Sequence, residues 1–138
     1  MKHIKHILLP LLILSCLTGM QQVYARNVID HIDSTHKNAV ETVEIFFNVP
    51  VQYLYHTPRE NSSHSLIGLS IATFNRSEDS RHNHTSTSQS LYLSDMEYLH
   101  ESGFNPHLYV DFRETVDFTV YMGENMRSII LIIKKHEK

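Results

Sequence analysis

Residues Val43 to Tyr55 read VEIFFNVPVQYLY, an alternation of apolar and polar positions interrupted by Asn48-Val49-Pro50. Alternation with period two marks a half-buried strand. Proline donates nothing to a ladder, so within sheets it survives at edges, strand starts and bulges. A matching segment, LYVDFRETVDFTV, runs from Leu108 to Val120. Val43 aligns with Leu108, Ile45 with Val110, Phe47 with Phe112, Val51 with Val116, Tyr53 with Phe118 and Tyr55 with Val120. Arg113-Glu114-Thr115 then falls where Asn48-Val49-Pro50 does. Either segment taken as one strand would be over twice the usual length of roughly 5 to 6 residues. Each is therefore expected to be a strand, a bend and a strand, with Pro50 at a bend on a sheet edge and Glu114 at the equivalent break. A further apolar strand follows each copy, Ser65 to Phe74 and Ser128 to Ile133. The expected fold is all-β: a small β-sandwich of two related sheets built from an internal strand-bend-strand duplication.

Working outward, Val28, Ile29 and Ile32 predict a short first strand and Ser34 to Asn38 a turn. Asn75 to Ser90 (NRSEDSRHNHTSTSQS) holds no large apolar residue and reads as a flexible polar loop at about 75–90. Leu91 to His100 predicts a strand, ESGFNP a turn, and Gly123-Glu124-Asn125 a tight connection. The run SIILII, Ser128 to Ile133, is apolar throughout and suits a strand covered on both faces.

The first 25 residues belong to a different physical class. Lys2, His3, Lys5 and His6 precede an apolar run from Ile7 to Leu17, which is shorter than the roughly 20 residues a bilayer span needs. With Val23-Tyr24-Ala25 supplying a cleavage site, this reads as a secretory signal peptide at 1–25, followed by one domain at 26–138. The alternative is a lipoprotein box at Ile13-Leu14-Ser15-Cys16, with Cys16 lipidated. Cys16 is the single cysteine, so no disulfide contributes to the fold. Removing Lys2 and Lys5 moves the formal charge from −3 to −5. An acidic chain is poorly suited to nucleic acid, which rewards clustered Lys and Arg. No transmembrane segment is expected in the mature chain.

The order V-E-I-F-F-N-V-P-V-Q-Y-L, a strand and polar loop, L-Y-V-D-F-R-E-T-V-D-F-T-V-Y, then G-E-N-M-R-S-I-I-L-I-I resembles the AMIN-type domain, the amidase N-terminal module also found in type IV pilus secretins. The resemblance spans about Val28 to Lys134. It implies a β-sandwich of two related sheets, a periplasmic location, and non-enzymatic binding of peptidoglycan or of an envelope protein complex, without cofactor. No amidase or secretin domain follows in this chain, so the partner is expected to be a separate protein.

His82-x-His84, with His64 or His100, has the alternate spacing of a strand-borne metal site, and a secreted His-rich metal-binding protein is the alternative function. Serines and histidines such as Ser63-His64 lie in polar loops without a nucleophile elbow, so no catalytic residues are assigned. Tyr53, Tyr55 and Phe118, at alternate strand positions, are expected in the core. Bends and loops present groups that a ladder ties up, which selects Asn48, Arg113, Arg59 and Glu60 as candidate ligand or partner contacts.

Overall fold

The computed structural model describes residues 28–71, 80–85 and 90–137, with the side chains of 80–85 outside the description. The expected signal peptide and Cys16 therefore lie outside the described residues, as does most of the expected loop. The described chain is all-β. Its strands are β1 (Ile29–Lys37), β2 (Val40–Phe47), β3 (Val51–Thr57), β4 (Ser62–Ile71), β5 (Ser80–Thr85), β6 (Leu93–His100), β7 (His107–Met122) and β8 (Ser128–Lys135). β5 is a correction: part of the segment read as a polar loop pairs with β6, with His82 opposite Tyr98 and His84 opposite Met96. Polar composition hid it, because a peripheral strand next to an already formed partner can hold its ladder without an apolar stripe of its own.

All pairings are antiparallel, in the order β1-β2-β8-β7-β4-β3, with β6 also on β7 and β5 on β6. β7 is where the sheet forks. Its first part, His107 to Phe112, pairs with β6, and its last part, Val116 to Met122, pairs with β8. Hydrogen bonding thus runs through β7 from one arm to the other, where two separate sheets were expected. Within β7 the break expected at Glu114 is absent: the strand continues from His107 to Met122. The interruption survives only in burial, since Arg113, Glu114 and Thr115 are successively exposed between buried Phe112 and buried Val116. Without proline the main chain keeps its ladder, and the charge of Glu114 is satisfied by turning to water beside Lys135 Nζ, 3.5 Å away.

Pro50 lies in the connection between β2 and β3, and β3 is the last strand of the order, an edge. The expected bend is there. Val51 N donates to Met126 O over 2.8 Å directly after it.

The two arms pair by one rule. β2 meets β8 with Val43 opposite Leu131 and Ile45 opposite Ile129, while β7 meets β4 with Leu108 opposite Ile67 and Val110 opposite Ser65. Stepping 65 residues along the first strand and 64 along the second converts one set into the other. The same steps carry Ile32–Ile45 of β1–β2 onto Met96–Val110 of β6–β7, and Val51–Ile71 of β3–β4 onto Val116–Lys135 of β7–β8. They carry the register shift between Ile29 and His31 onto that between Leu93 and Asp95. Even a flanking bond follows: Asn48 N donates to Val28 O at 2.9 Å, Arg113 N to Tyr92 O at 2.8 Å.

One core joins both arms. Val43, Ile45, Ile129 and Leu131 from one arm cluster with Ile67, Leu69, Met96 and Tyr98 from the other. On β2 the inward positions are Glu41, Val43, Ile45 and Phe47. Glu41 is fully buried, and its carboxylate accepts hydrogen bonds from Ser34 Oγ (2.6 Å), Leu91 N (3.2 Å) and Tyr92 N (2.8 Å). It thereby ties the start of β6 to the β1–β2 hairpin, meeting the rule that a buried charge must be hydrogen-bonded. That hairpin turns at Asn38 and Ala39, with φ of 51° and 62°, the signs of a type I′ turn, so β1 extends to Lys37, past the turn predicted from Ser34. β8 corrects another expectation. Ile129, Leu131 and Ile133 are buried but Ile132 is 37% exposed, so only one of its faces is covered.

Candidate functional site

The site begins with a phase error in β3. Tyr53 pairs with Leu69, Tyr55 with Gly68, and the register shifts between them at Leu54. A one-residue bulge sends every later side chain to the opposite face. Val51 and Tyr53 turn toward the core, and after the bulge it is His56 that does so, its ring 5.5 Å from that of Phe118. Tyr55 is turned out and is 42% exposed, correcting its expected place in the core; Phe118 is buried as expected and Tyr53 half-buried. Tyr53 Oη and His56 Nδ1 share a 2.6 Å hydrogen bond. Burial pushes the His56 pKa below its usual value, aided by the positive charge of Arg59 and opposed by a hydrogen bond to the Arg59 main chain.

Tyr55 lies across Gly68, where a Cβ would stand 2.5 Å from the ring. Any other residue would lift the ring off the sheet. The phenol reaches over β4 to β7, its Oη 2.9 Å from His107 Nε2. One row further, Leu66 faces Tyr109, which is 41% exposed and carries the His64 ring stacked at 6.3 Å and 12°. β6 completes the face, with Leu99 opposite His107 and Glu97 opposite Tyr109. From the β6–β7 connection come Glu101 and Phe104, the latter 66% exposed. They are joined by a turn in which Phe104 N donates to Glu101 O at 3.0 Å and Gly103 has a φ of 87°, the left-handed value that a type II turn reserves for its third residue. Leu69 N donates to Pro106 O at 2.9 Å and fixes the loop to β4. Leu66, Leu99, Phe104, Tyr109, His107 and the two glutamates line a cavity of about 270 Å³.

A larger cleft of about 630 Å³ lies on the other arm, lined in part by Asp30, Glu44, Phe46, Asn48, Glu124 and Arg127. Several of its groups satisfy one another. Arg127 Nη1 donates to Asn48 O at 3.1 Å, Ser128 Oγ to Glu44 Oε1 at 2.6 Å, and His31 stacks on Phe46 at 4.3 Å while its Nδ1 lies 2.9 Å from Asp30 Oδ2. The smaller cavity is the better site despite its size, because two exposed aromatic rings stand beside the Glu101 carboxylate, which has no hydrogen-bond or ion-pair partner among the described residues.

Of the residues singled out from sequence, Asn48 lies in the larger cleft, Arg113 is exposed on β7, and Arg59 and Glu60 are exposed between β3 and β4. They form no single site. Val116, just after Arg113, is paired with Ser62 just after Glu60, whereas Asn48 sits by Arg127, beyond Met122 at the other end of β7. At roughly 3.3 Å per residue, the stretch from Val116 to Met122 separates the two groups by about 20 Å. Tyr55, Glu101, Phe104 and Tyr109 were missed. The only sequence signal for them was the Gly103 turn, with an aromatic directly after it.

Among the described residues no group of three His, Cys, Asp or Glu side chains is placed to hold a metal ion. His64 is exposed on the outer face and His100 buried on the inner one, so these two cannot share an ion. The side chains of His82 and His84 lie outside the described residues. No described helix is long and apolar enough to cross a membrane. No family model, curated protein or solved structure matches the chain.

Proposed function

We propose that the chain is a non-catalytic, AMIN-type binding module of the bacterial cell envelope, delivered to the periplasm by its N-terminal segment and holding peptidoglycan or an envelope protein. The observation that carries this reading is the open aromatic face of Tyr55, His107 and Tyr109 on the sheet, with Phe104 beside it on the β6–β7 turn. Exposed rings fixed on strands offer contact area at little entropic cost, which serves binding to a flat polymer or protein better than it serves chemistry. The reading includes a β-sandwich grown from a duplicated unit of four strands, the two arms of the fork forming its layers. Its support is the single pairing rule that relates β1–β4 to β6–β8, down to the matching register shifts.

Sedimentation of the full chain with purified sacculi at low salt tests the proposal. The expected result is co-sedimentation, weakened several-fold by Tyr109→Ala. A chain that stays in the supernatant removes the peptidoglycan half, and cross-linking in intact cells then tests the protein half: absence of any envelope partner would leave nothing of the proposal.

A further inference from the structure

We propose that the cavity between Phe104 and Tyr109 is a pocket for a single alkylammonium group, a primary amine at the end of a methylene stem. The inference rests on the binding-module reading above and names the chemistry its face recognises. The lining divides by character. Leu66 and Leu99 form an apolar wall; Phe104 and Tyr109 present aromatic rings; Glu101 supplies a carboxylate without a partner among the described residues. Glu97 already has a partner, so Glu101 is the counter-charge. Aromatic faces attract a cation through the ring quadrupole, and an adjacent carboxylate adds direct charge attraction.

Size and sign exclude the alternatives. At about 270 Å³ the cavity falls below the roughly 300 Å³ at which drug-sized pockets begin, so it admits one side chain. The described lining contains two carboxylates and no Lys or Arg, which disfavours phosphate or carboxylate ligands. An apolar wall leading to a charged end matches an amine on an aliphatic stem. The turn explains how the parts meet: Gly103 at φ 87° brings the chain round so that Glu101 and Phe104 flank the same opening.

Two sources carry this chemistry, a free amine on a peptidoglycan stem peptide and a lysine of an envelope protein. The probe is Nα-acetyl-lysine-N-methylamide, titrated into the full chain and followed by NMR. The expected result is saturable shifts at Phe104 and Tyr109, lost with the Nε-acetylated probe and weakened about fivefold or more by Glu101→Gln or Phe104→Ala. Both substitutions are at exposed positions of one turn, so the fold survives them. Equal binding of the acetylated probe, or no shift at tens of millimolar, overturns the pocket. Soluble peptidoglycan fragments with intact or acetylated amines then separate the sources: preference for the intact form assigns the wall amine, and indifference while the lysine probe still binds assigns a protein lysine. Sacculi that sediment the chain while the lysine probe fails would overturn the pocket and leave the binding-module proposal standing. Probe binding without sedimentation would do the reverse for its peptidoglycan half.

Discussion

The arm of β1, β2 and β8 and the arm of β3, β4 and β6 share their ladders and differ on their outer faces. Steps of 64 and 65 residues relate Thr35, Thr42 and Ile132 on the first to Leu99, His107 and Gly68 on the second. The first row carries two threonines and the half-exposed Ile132, with no aromatic ring. In the second a glycine leaves a hollow, and the bulge at Leu54 turns Tyr55 into it. The equivalent stretch of β7 has no bulge between Phe118 and Val120, so Val120 stays half-buried against the core where Tyr55 has been turned out. A difference of one residue in strand phase, and not of fold, turns Tyr55 outward where Val120 stays in.

That comparison can be broken first at its support. Glu41 stands where the other arm has Pro106, and it holds the two arms together. Glu41→Ala leaves the buried Tyr92 amide and the part-buried Leu91 amide without acceptors, at roughly 1 to 3 kcal/mol for a buried donor and less for the other. A loss of about 3 kcal/mol is expected in urea unfolding, with Glu41→Gln costing about half as much because one acceptor remains. Equal, negligible effects of both would show that the carboxylate does not clamp the arms. Gly68→Ala comes next. Its Cβ would displace the half-exposed Tyr55 ring and break its hydrogen bond to His107, costing about 1 kcal/mol. Ile132→Ala, at the equivalent half-exposed position, is expected to cost less than about 1 kcal/mol by its smaller burial. A reversed order would mean that the two faces are not built differently.

A smaller effect sharpens the hairpin. Ala39 holds a φ of 62° that a side chain disfavours, so Ala39→Gly is expected to stabilise by about 1 kcal/mol, seen as a higher unfolding midpoint. The smallest belongs to His56. Its pKa is lowered in the fold, so the folded state binds its proton less readily than the unfolded chain. Its contribution is present above the unfolded value near 6.5 and is lost as pH falls through the folded value. His56→Gln should flatten the stability profile below pH 6.5, and an unchanged slope there would contradict its burial beside Phe118.

Much of the fold was legible because burial leaves a period. The stripes Val43-Ile45-Phe47, Ile67-Leu69-Ile71 and Leu108-Val110-Phe112 could be read directly, and Pro50 marked a bend that is there. Continuity of β7 was illegible because exposure and chain reversal look alike in sequence: Arg113-Glu114-Thr115 is a surface patch on an unbroken strand. The site was harder still. The bulge at Leu54 uses no glycine or proline to announce itself, and it sent Tyr55 to the face that period two denies it. Phe104 and Glu101 depend on a turn whose far side, Leu66 and Tyr109, is remote in sequence.

The central claim is that the face of Tyr55, Tyr109 and Phe104, and not the outer face of the other arm, makes the contact. Tyr121 provides the internal control, since it is 52% exposed on the other arm. Aromatic 13C NMR of the full chain, recorded with and without soluble peptidoglycan fragments, tests the claim directly. Shifts at Tyr55, Tyr109 and Phe104 with Tyr121 unmoved are predicted; movement of Tyr121 while those three stay fixed would contradict it.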